Sequence, residues 1–144
     1  MDVQWWDKYI GEVREKFGGA KCSSSNMAKR HGITFIGKMN CDWSPLGNSG
    51  AGCAALAAAW GCSKIILLGY DCQRTNGMAH WHGNHPRGLG NAGSINRWPG
   101  QFQRLAQKWG KQADIVNCSR ETALTMFRRG ELEKELQVEP QAAA

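Results

Sequence analysis

The chain has 144 residues, of which 42% are hydrophobic and 21% are charged, and its formal net charge is +6. This balance is typical of one folded domain and excludes a disordered chain. The longest apolar run, at residues 65–68, is too short to cross a bilayer, so no membrane partner is expected. The first ten residues lack a basic region followed by an apolar stretch, which predicts no secretion signal and a cytoplasmic location.

The six cysteines are predicted to be free, reduced thiols rather than a disulfide framework. No CxxC pair is present, and Cys53 lies inside an alanine-rich segment where a small thiol packs like a hydrophobic side chain. Reduced thiols agree with a cytoplasmic location. The cysteines are Cys22, Cys41, Cys53, Cys62, Cys72 and Cys118.

The N-terminal part of the chain is predicted to contain one amphipathic helix and two short strands. Apolar residues at helical spacing indicate a helix over residues 3–17, opened by Asp2. Residues 20–24 and 33–37 are predicted as strands, the second because its run ITFIG is β-branched and aromatic. The apolar face of the helix comprises Trp6, Ile10, Val13 and Phe17.

Residues 48–71 carry the strongest structural pattern. A helix is predicted over residues 50–60 (GAGCAALAAAW), because alanine on nearly every face suits close packing against a sheet, and Gly61 ends it. Residues 64–69 (KIILLG) are almost entirely apolar, a pattern typical of a central parallel strand that is buried on both faces.

A long segment without periodicity, residues 70–99, follows and is rich in Gly, His, Asn and Arg. A loop of this length in a compact domain usually carries function or disorder. Beyond it we predict an amphipathic helix within residues 95–109, a strand over residues 113–117 and a helix near residues 121–127.

Helices and strands alternate along the chain. This order predicts the α/β class, with a short, mostly parallel sheet that is covered on both faces. We assign this single domain to residues 1–130 and a charged C-terminal tail to residues 131–144.

Asn48, Ser49 and Gly50, at the start of the small-residue helix, are the first candidate ligand-binding residues. A helix N-terminus has unpaired backbone N–H groups and a partial positive charge, so it binds phosphate or carboxylate readily. Asn48 and Ser49 can bond a ligand or cap the helix, and glycine lets the backbone approach a ligand. The alternative is an ordinary cap with glycines for close packing, since the motif is neither a P-loop nor a GxGxxG fingerprint.

Polar residues that follow two predicted strands form the second group of candidates. Asp71 comes directly after residues 64–69, while Asn117 and Ser119 come at the end of residues 113–117. Ligands of open parallel sheets bind outside the carboxyl ends of the strands, where an acid can bond a ribose hydroxyl or hold a metal. The alternatives are capping roles, with Ser119 as the N-cap of the next helix. The order of helices and strands alone does not decide whether Asp71 lies near Asn48.

Three of the four histidines, His80, His82 and His85, lie within six residues of the long loop. Imidazole titrates near neutral pH, so one of them can act as an acid or base, or contact an anion together with Arg87. An HxHxxH pattern can also hold a metal, but imidazoles without a flanking acid or cysteine are a weak zinc signature, and no metal ligand is assigned. A purely structural loop is the third alternative.

The positive charge also permits a different class of protein, a non-catalytic module that binds nucleic acid or a host protein. Seven tryptophans could stack on bases, although tryptophan more often packs in a core. The basic residues are spread along the chain rather than clustered, which weakens the case for a nucleic-acid partner.

Three segments together resemble a known family: GNSGAGCAALAAAWGCSKIILLGYDC, HWHGNHP and DIVNCSRETAL. The chain resembles phage and prophage proteins that are distantly similar to the Rossmann-like domain of bacterial sialyltransferases and archaeal hydroxymethylpterin pyrophosphokinase-like proteins. In that group an (N/T)SG motif opens a helix, a strand ends in LxGxD, and a histidine lies in the following loop. The matching positions here are residues 48–50, residues 67–71 and one of His80, His82 or His85.

This resemblance implies a Rossmann-like three-layer sandwich with about four strands, and a phosphate-containing nucleotide or nucleotide-sugar as ligand. In the sialyltransferases the SG turn contacts the cytidine nucleotide of the donor, and a loop histidine is the general base. By the same resemblance, Ser49 and Gly50 contact the donor phosphate and a loop histidine deprotonates an acceptor hydroxyl. The chain would then be a glycosyl- or nucleotidyltransferase of a phage, acting in the host cytoplasm. A metal-dependent hydrolase built on the three histidines is the remaining alternative.

The resemblance also implies a missing strand. Residues 2–6 look like a segment that members of the group carry after a first strand and a glycine-rich turn. Without that strand the sheet would expose an edge, which a second copy of the chain could cover in a homo-oligomer.

Overall fold

The computed structural model describes residues 3–37, 47–80 and 82–137. Its helices are α1 (Val3–Lys16), α2 (Ser49–Ala59), α3 (Trp98–Trp109) and α4 (Leu132–Glu135), with 3-10 turns at Asn26–His31 and Ile95–Arg97. Its strands are β1 (Cys22–Ser23), β2 (Thr34–Phe35), β3 (Lys64–Leu67), β4 (Asp114–Asn117) and β5 (Arg128–Arg129). The predicted cap Asp2, the thiol of Cys41, Trp81 and the end of the predicted tail lie outside the described residues.

The named strands pair in parallel and form two small sheets. One sheet contains β1 and β2, and the other contains β3, β4 and β5 with β4 in the centre. The predicted α/β class with parallel strands is therefore confirmed. Across the three described ranges, no sheet has more than three strands, so the expected single sheet of about four strands is not found there. No helix in these ranges has the length and apolar character needed to cross a membrane.

Strand β3 lies at the edge of its sheet, so its predicted central position is wrong for the described strands. It pairs with β4 alone, and although Ile65 and Leu67 are buried, the adjoining Leu68 is 58% exposed. The apolar run shows that side chains can be buried, but it does not encode how many strands flank them. The third strand of this sheet is β5 (Arg128–Arg129). It was not predicted from the sequence, because both of its residues are charged.

The main core lies between α2, α3 and the three-stranded sheet. Ala51 and Ala55 of α2 are fully buried, and their small side chains let α3 pack closely through Leu105. The ring of Phe102 contacts Tyr70 edge-on, with 5.6 Å between the ring centroids. The helix predicted over residues 50–60 and the helix predicted within residues 95–109 are confirmed as α2 and α3.

Helix α1 packs in a second, smaller cluster. Trp6 is buried there against Ala28 and Ile33, and Val13 is half-buried. Phe17 lies beyond the end of the helix and is 53% exposed, so its predicted place on the packed face is wrong. Helix α1 packs against the 3-10 turn at Asn26–His31, whose Ala28 belongs to the Trp6 cluster.

Residues 121–127 form turns instead of the predicted helix. The Ala123 N–H donates to the main-chain oxygen of Asp71 (2.8 Å), and the Leu124 N–H donates to the Thr122 hydroxyl (3.0 Å). These side-chain and long-range acceptors hold the two N–H groups in turns, so the predicted helix does not form.

Residues of the predicted tail contact the domain through an ion-pair cluster around Arg128. Arg128 Nε donates to Asp114 Oδ1 (2.9 Å), and its Nη1 donates to Glu135 Oε1 (2.5 Å). Lys64 Nζ lies 3.1 Å from Glu135 Oε2. Hydrogen bonds from Arg128 and then from Lys64 lower the pKa of Glu135 to about 2.

We expect acid to weaken this cluster. The pKa of Glu135 is lower in the folded chain than its ordinary value of 4.5, so its stabilisation is present above that value and is lost as the pH falls towards 2. The Tm of Glu135→Gln should therefore lie below that of the wild type at about pH 7, and the two should converge in acid. Circular dichroism during heating measures this, and Glu133→Gln, an exposed position of the same helix, is the control. A difference in Tm that does not change with pH would contradict this role of Glu135.

Candidate functional site

The start of α2 is capped by the side chain of Asn48. Its Oδ1 accepts hydrogen bonds from the backbone N–H groups of Gly50 (2.8 Å) and Ala51 (3.1 Å). Two of the N–H groups that a phosphate would use are therefore already bonded. Asn48 thus acts as a cap, as one of the two interpretations of this motif predicts, while Ser49 is exposed beside it.

Gly50 allows the start of α2 to pack closely against Tyr70. A Cβ atom at Gly50 would lie 2.6 Å from Cε1 of Tyr70, a distance that a real side chain does not reach. Tyr70 directly precedes Asp71, so this contact brings the Asn48 segment next to the carboxyl end of β3. The sequence alone left this proximity open.

A buried hydrogen-bond network joins the carboxyl ends of β3 and β4. The Tyr70 N–H donates to Ser119 Oγ (2.7 Å), and Thr122 Oγ1 donates to the main-chain oxygen of Tyr70 (2.7 Å). Asn117 Nδ2 donates to Thr122 Oγ1 (3.1 Å), and Asn117 Oδ1 accepts from the Ser119 N–H (2.9 Å). Asn117 is 0% exposed and Ser119 is 2% exposed.

In this network the side chains of Asn117 and Ser119 bond protein groups. Ser119 is not the predicted helix N-cap, because no helix follows it and its hydroxyl bonds Tyr70 instead. Tyr70 and Thr122 are hydrogen-bonding members of this network that sequence reasoning did not select. Residues far apart in the chain form the network, so no local spacing could have indicated it. The ligand contacts assigned to Asn117 and Ser119 stay a prediction.

Asp71 lies at the carboxyl end of β3, at the edge of two cavities. One, of about 350 Å³, is lined by Asp71, Cys72 and His80 among others. The other, of about 810 Å³, reaches Ser119 and the loop beyond β4. Asp71 Oδ2 accepts a hydrogen bond from Thr75 Oγ1 (3.2 Å), which orients the carboxylate within the loop.

The three loop histidines form one cluster. The ring centroids are 4.6 Å apart for His80 and His85, 4.9 Å for His82 and His85, and 5.2 Å for His80 and His82. Burial, followed by the nearby His85 and His82 rings, lowers the pKa of His80, which favours its neutral form. A neutral imidazole can accept a proton or bind a metal ion, so His80 suits both of these predicted roles.

The cluster connects two parts of the predicted site. His85 lines a cavity of about 180 Å³ together with Ser49 and the α1 residues Gln4 and Trp5. His80 lines the separate cavity that contains Asp71. The sequence did not predict that Gln4 and Trp5 line this cavity, because its pattern there indicated only an amphipathic helix.

A larger cavity of about 650 Å³ adjoins the start of α2 on its other side. It is lined by Ser49 and Gln4, by apolar residues that include Ile36 and Leu56, and by the serines after β1. Ser49 and Gln4 therefore border both this cavity and the smaller one with His85.

No family model, curated protein or solved structure matches the chain.

Proposed function

We propose that this chain is a phage-type, Rossmann-like protein that binds a nucleotide or nucleotide-sugar beside the start of α2, with His85 as the general base of a transfer reaction. The observation that carries the proposal is that Ser49 and His85 line one cavity. The resemblance implies a donor contact at the serine and a base among the loop histidines. A donor site must adjoin its base for transfer to occur, and these two residues meet that requirement.

Ser49 is suited to a phosphate contact. Because Asn48 supplies the cap of α2, the exposed Ser49 has no side-chain hydrogen bond within the described ranges and can donate to a phosphate oxygen. The positive end of the helix dipole adds to the attraction for an anion. The cavity of 180 Å³ is smaller than typical ligand pockets of roughly 300–1,000 Å³, so it suits a phosphate group rather than a whole nucleotide.

The adjoining cavity of about 650 Å³ is large enough for the nucleoside. Its apolar residues Ile36 and Leu56 offer contacts for a base, and the hydroxyls of Ser24 and Ser25 offer contacts for a ribose. Since Ser49 borders both cavities, a nucleoside in the larger one would direct its phosphate towards the smaller one and His85.

We assign the acceptor to the cavity that Asp71 and His80 line. In the transfer step the acceptor oxygen forms a bond to the transferred group while the bond from that group to the donor phosphate breaks. His85, whose ring centroid lies 4.6 Å from that of His80 at the acceptor cavity, takes the acceptor's proton, and the nucleotide leaves with the bonding electron pair. Asp71, predicted as a ribose or metal ligand, would then contact the acceptor instead.

Thermal unfolding with CMP, UDP, GDP and their sugar conjugates tests the proposal. At about 100 times the Kd, a ligand that binds the folded chain adds about 2.7 kcal/mol to the free energy of unfolding, so the Tm rises. Ser49→Asp should abolish this rise, because a carboxylate repels phosphate. Ser63→Asp, at an exposed serine before β3, is the matched control and should keep it.

The absence of any rise with these ligands would contradict the proposed function, and so would a full rise in Ser49→Asp. His85→Ala should keep most of the rise but lose turnover of the nucleotide-sugar, because it removes the base rather than the phosphate contact. A single-stranded oligonucleotide in the same assay tests the nucleic-acid alternative, which predicts binding that weakens steeply with salt.

A further inference from the structure

We propose that His80, His82 and His85 form a binding site for one divalent transition-metal ion. The ligand nitrogens of the three side chains all lie within 4.8 Å of one another. His80 and His85 are half-buried and His82 is exposed, so the cluster is open to solvent on one side. Three imidazoles around one point are the protein ligands of well-characterised zinc sites.

His80 supplies an independent reason to expect a ligand. Its Nε2 atom is buried and has no hydrogen-bond partner in the part of the chain that the structure describes. A buried polar atom without a partner destabilises a fold, and such atoms are rare in native proteins. A metal ion bound at this nitrogen would remove the penalty.

The backbone of the loop already has the shape that brings the three rings together. The Gly83 N–H donates to the main-chain oxygen of His80 (3.2 Å), which closes a turn that needs glycine at φ 82°. The His85 N–H donates to Asn91 Oδ1 (2.8 Å). In a tetrahedral site with metal–nitrogen bonds of about 2.0–2.1 Å, the nitrogens lie about 3.4 Å apart. Metal binding therefore requires the three nitrogens, now within 4.8 Å of one another, to move closer together.

The ligand set indicates which metals would bind. Within the described residues the cluster contains imidazoles and no carboxylate or thiol. Imidazole suits Zn²⁺, Co²⁺, Ni²⁺ and Cu²⁺, whereas Mg²⁺ and Ca²⁺ prefer oxygen ligands. Three neutral ligands leave the ion its full charge and an open position for water or a phosphate oxygen.

The metal would lie beside the proposed donor site, because His85 also lines the cavity with Ser49. A metal bound through all three rings occupies a nitrogen of His85 and prevents that ring from accepting a proton. Metal-loaded and base-competent states of His85 therefore exclude each other. This consequence rests on the proposed function, whereas the metal site itself stands on the geometry of the cluster.

Titration of the metal-free full chain with Co²⁺ and Zn²⁺, followed by visible absorption and calorimetry, tests the site. We expect one ion per chain, and His80→Ala, His82→Ala and His85→Ala should each weaken binding by about tenfold or more. His31→Ala is the matched control, because this histidine bonds Asp7 outside the cluster. The Tm of each variant without metal shows that it is folded.

The absence of binding of either ion would overturn the site, and so would wild-type affinity in all three cluster variants. Cys72→Ser is included because Cys72 lines the cavity of His80 and could supply a thiolate. A site that depends on Cys72 and not on the histidines would also overturn the proposal. Ser49→Asp should lose the nucleotide effect and keep metal binding, so the failure of one proposal can be told from the failure of the other.

Discussion

Phe102→Ala is expected to lower the free energy of unfolding by about 3–5 kcal/mol, the range for removing a buried aromatic ring from a core. Phe102 is 1% exposed, and its ring meets Tyr70 and Phe127 edge-on. Its loss leaves a cavity between α3 and the three-stranded sheet. Because Tyr70 also packs on Gly50, the start of α2 and the candidate site lose support as well.

Urea unfolding followed by circular dichroism measures this effect. Gln103→Ala, on the exposed face of the same helix, is the control and should change stability by less than about 0.5 kcal/mol. Domain stabilities are about 5–15 kcal/mol, so Phe102→Ala should remove a large share of the total. A variant with the midpoint and slope of the wild type would show that Phe102 does not fill the core in solution.

Asn117→Ala is expected to lower the free energy of unfolding by about 1–3 kcal/mol, the cost of leaving buried polar groups without partners. The substitution removes the acceptor of the Ser119 N–H and the donor to Thr122 Oγ1. Both groups lie in the network that binds Tyr70, so the connection between the loops after β3 and β4 weakens. Hydrogen exchange at the Tyr70 amide should become faster than in the wild type.

Asn91→Ala provides the matched control for this prediction. Asn91 also accepts a backbone hydrogen bond, from the His85 N–H, but that bond is exposed to solvent. Water can replace an exposed partner, so the expected loss is within about 0.5 kcal/mol. Equal losses in the two variants would show that burial of the Asn117 network has no special effect on stability.

The buried network has a consequence for the candidate site. Residues 71–80 and 82–94 lie outside the named helices and strands, yet both ends of this part of the chain adjoin hydrogen-bonded structure. Its start is held through Tyr70 by Ser119 and Thr122, and its end leads into the 3-10 turn before α3. A loop held at both ends can present its histidines at a constant place, which a base or a metal site needs.

Sequence patterns predicted the elements whose environment is set by their own side chains. The alanine-rich run of residues 50–60 predicted α2, and the spacing of Phe102, Leu105 and Trp109 predicted α3. Patterns were misleading where long-range partners decide. Residues 121–127 were predicted as a helix, but the backbone N–H groups of Ala123 and Leu124 bond Asp71 and Thr122 instead. Arg128–Arg129 reads as part of a charged tail, but it pairs with β4 as a strand.

The same division applies to the candidate site. The histidine triplet and the Asn48–Gly50 motif were visible in the sequence, and so was the capping alternative for Asn48. The sequence could not indicate that Asn117 and Ser119 bond Tyr70 and Thr122, because both partners are distant in the chain.

The sequence by itself therefore determined the α/β class, the positions of α2, α3, β3 and β4, and the types of side chain available for chemistry. Those features follow from local periodicity, caps and residue type, which act over a few neighbouring positions. Only the tertiary structure decided that β3 is an edge strand among the described strands, that Gly50 packs on Tyr70, and that His85 shares a cavity with Ser49. Each of these depends on contacts between segments far apart in the chain, which no local pattern encodes.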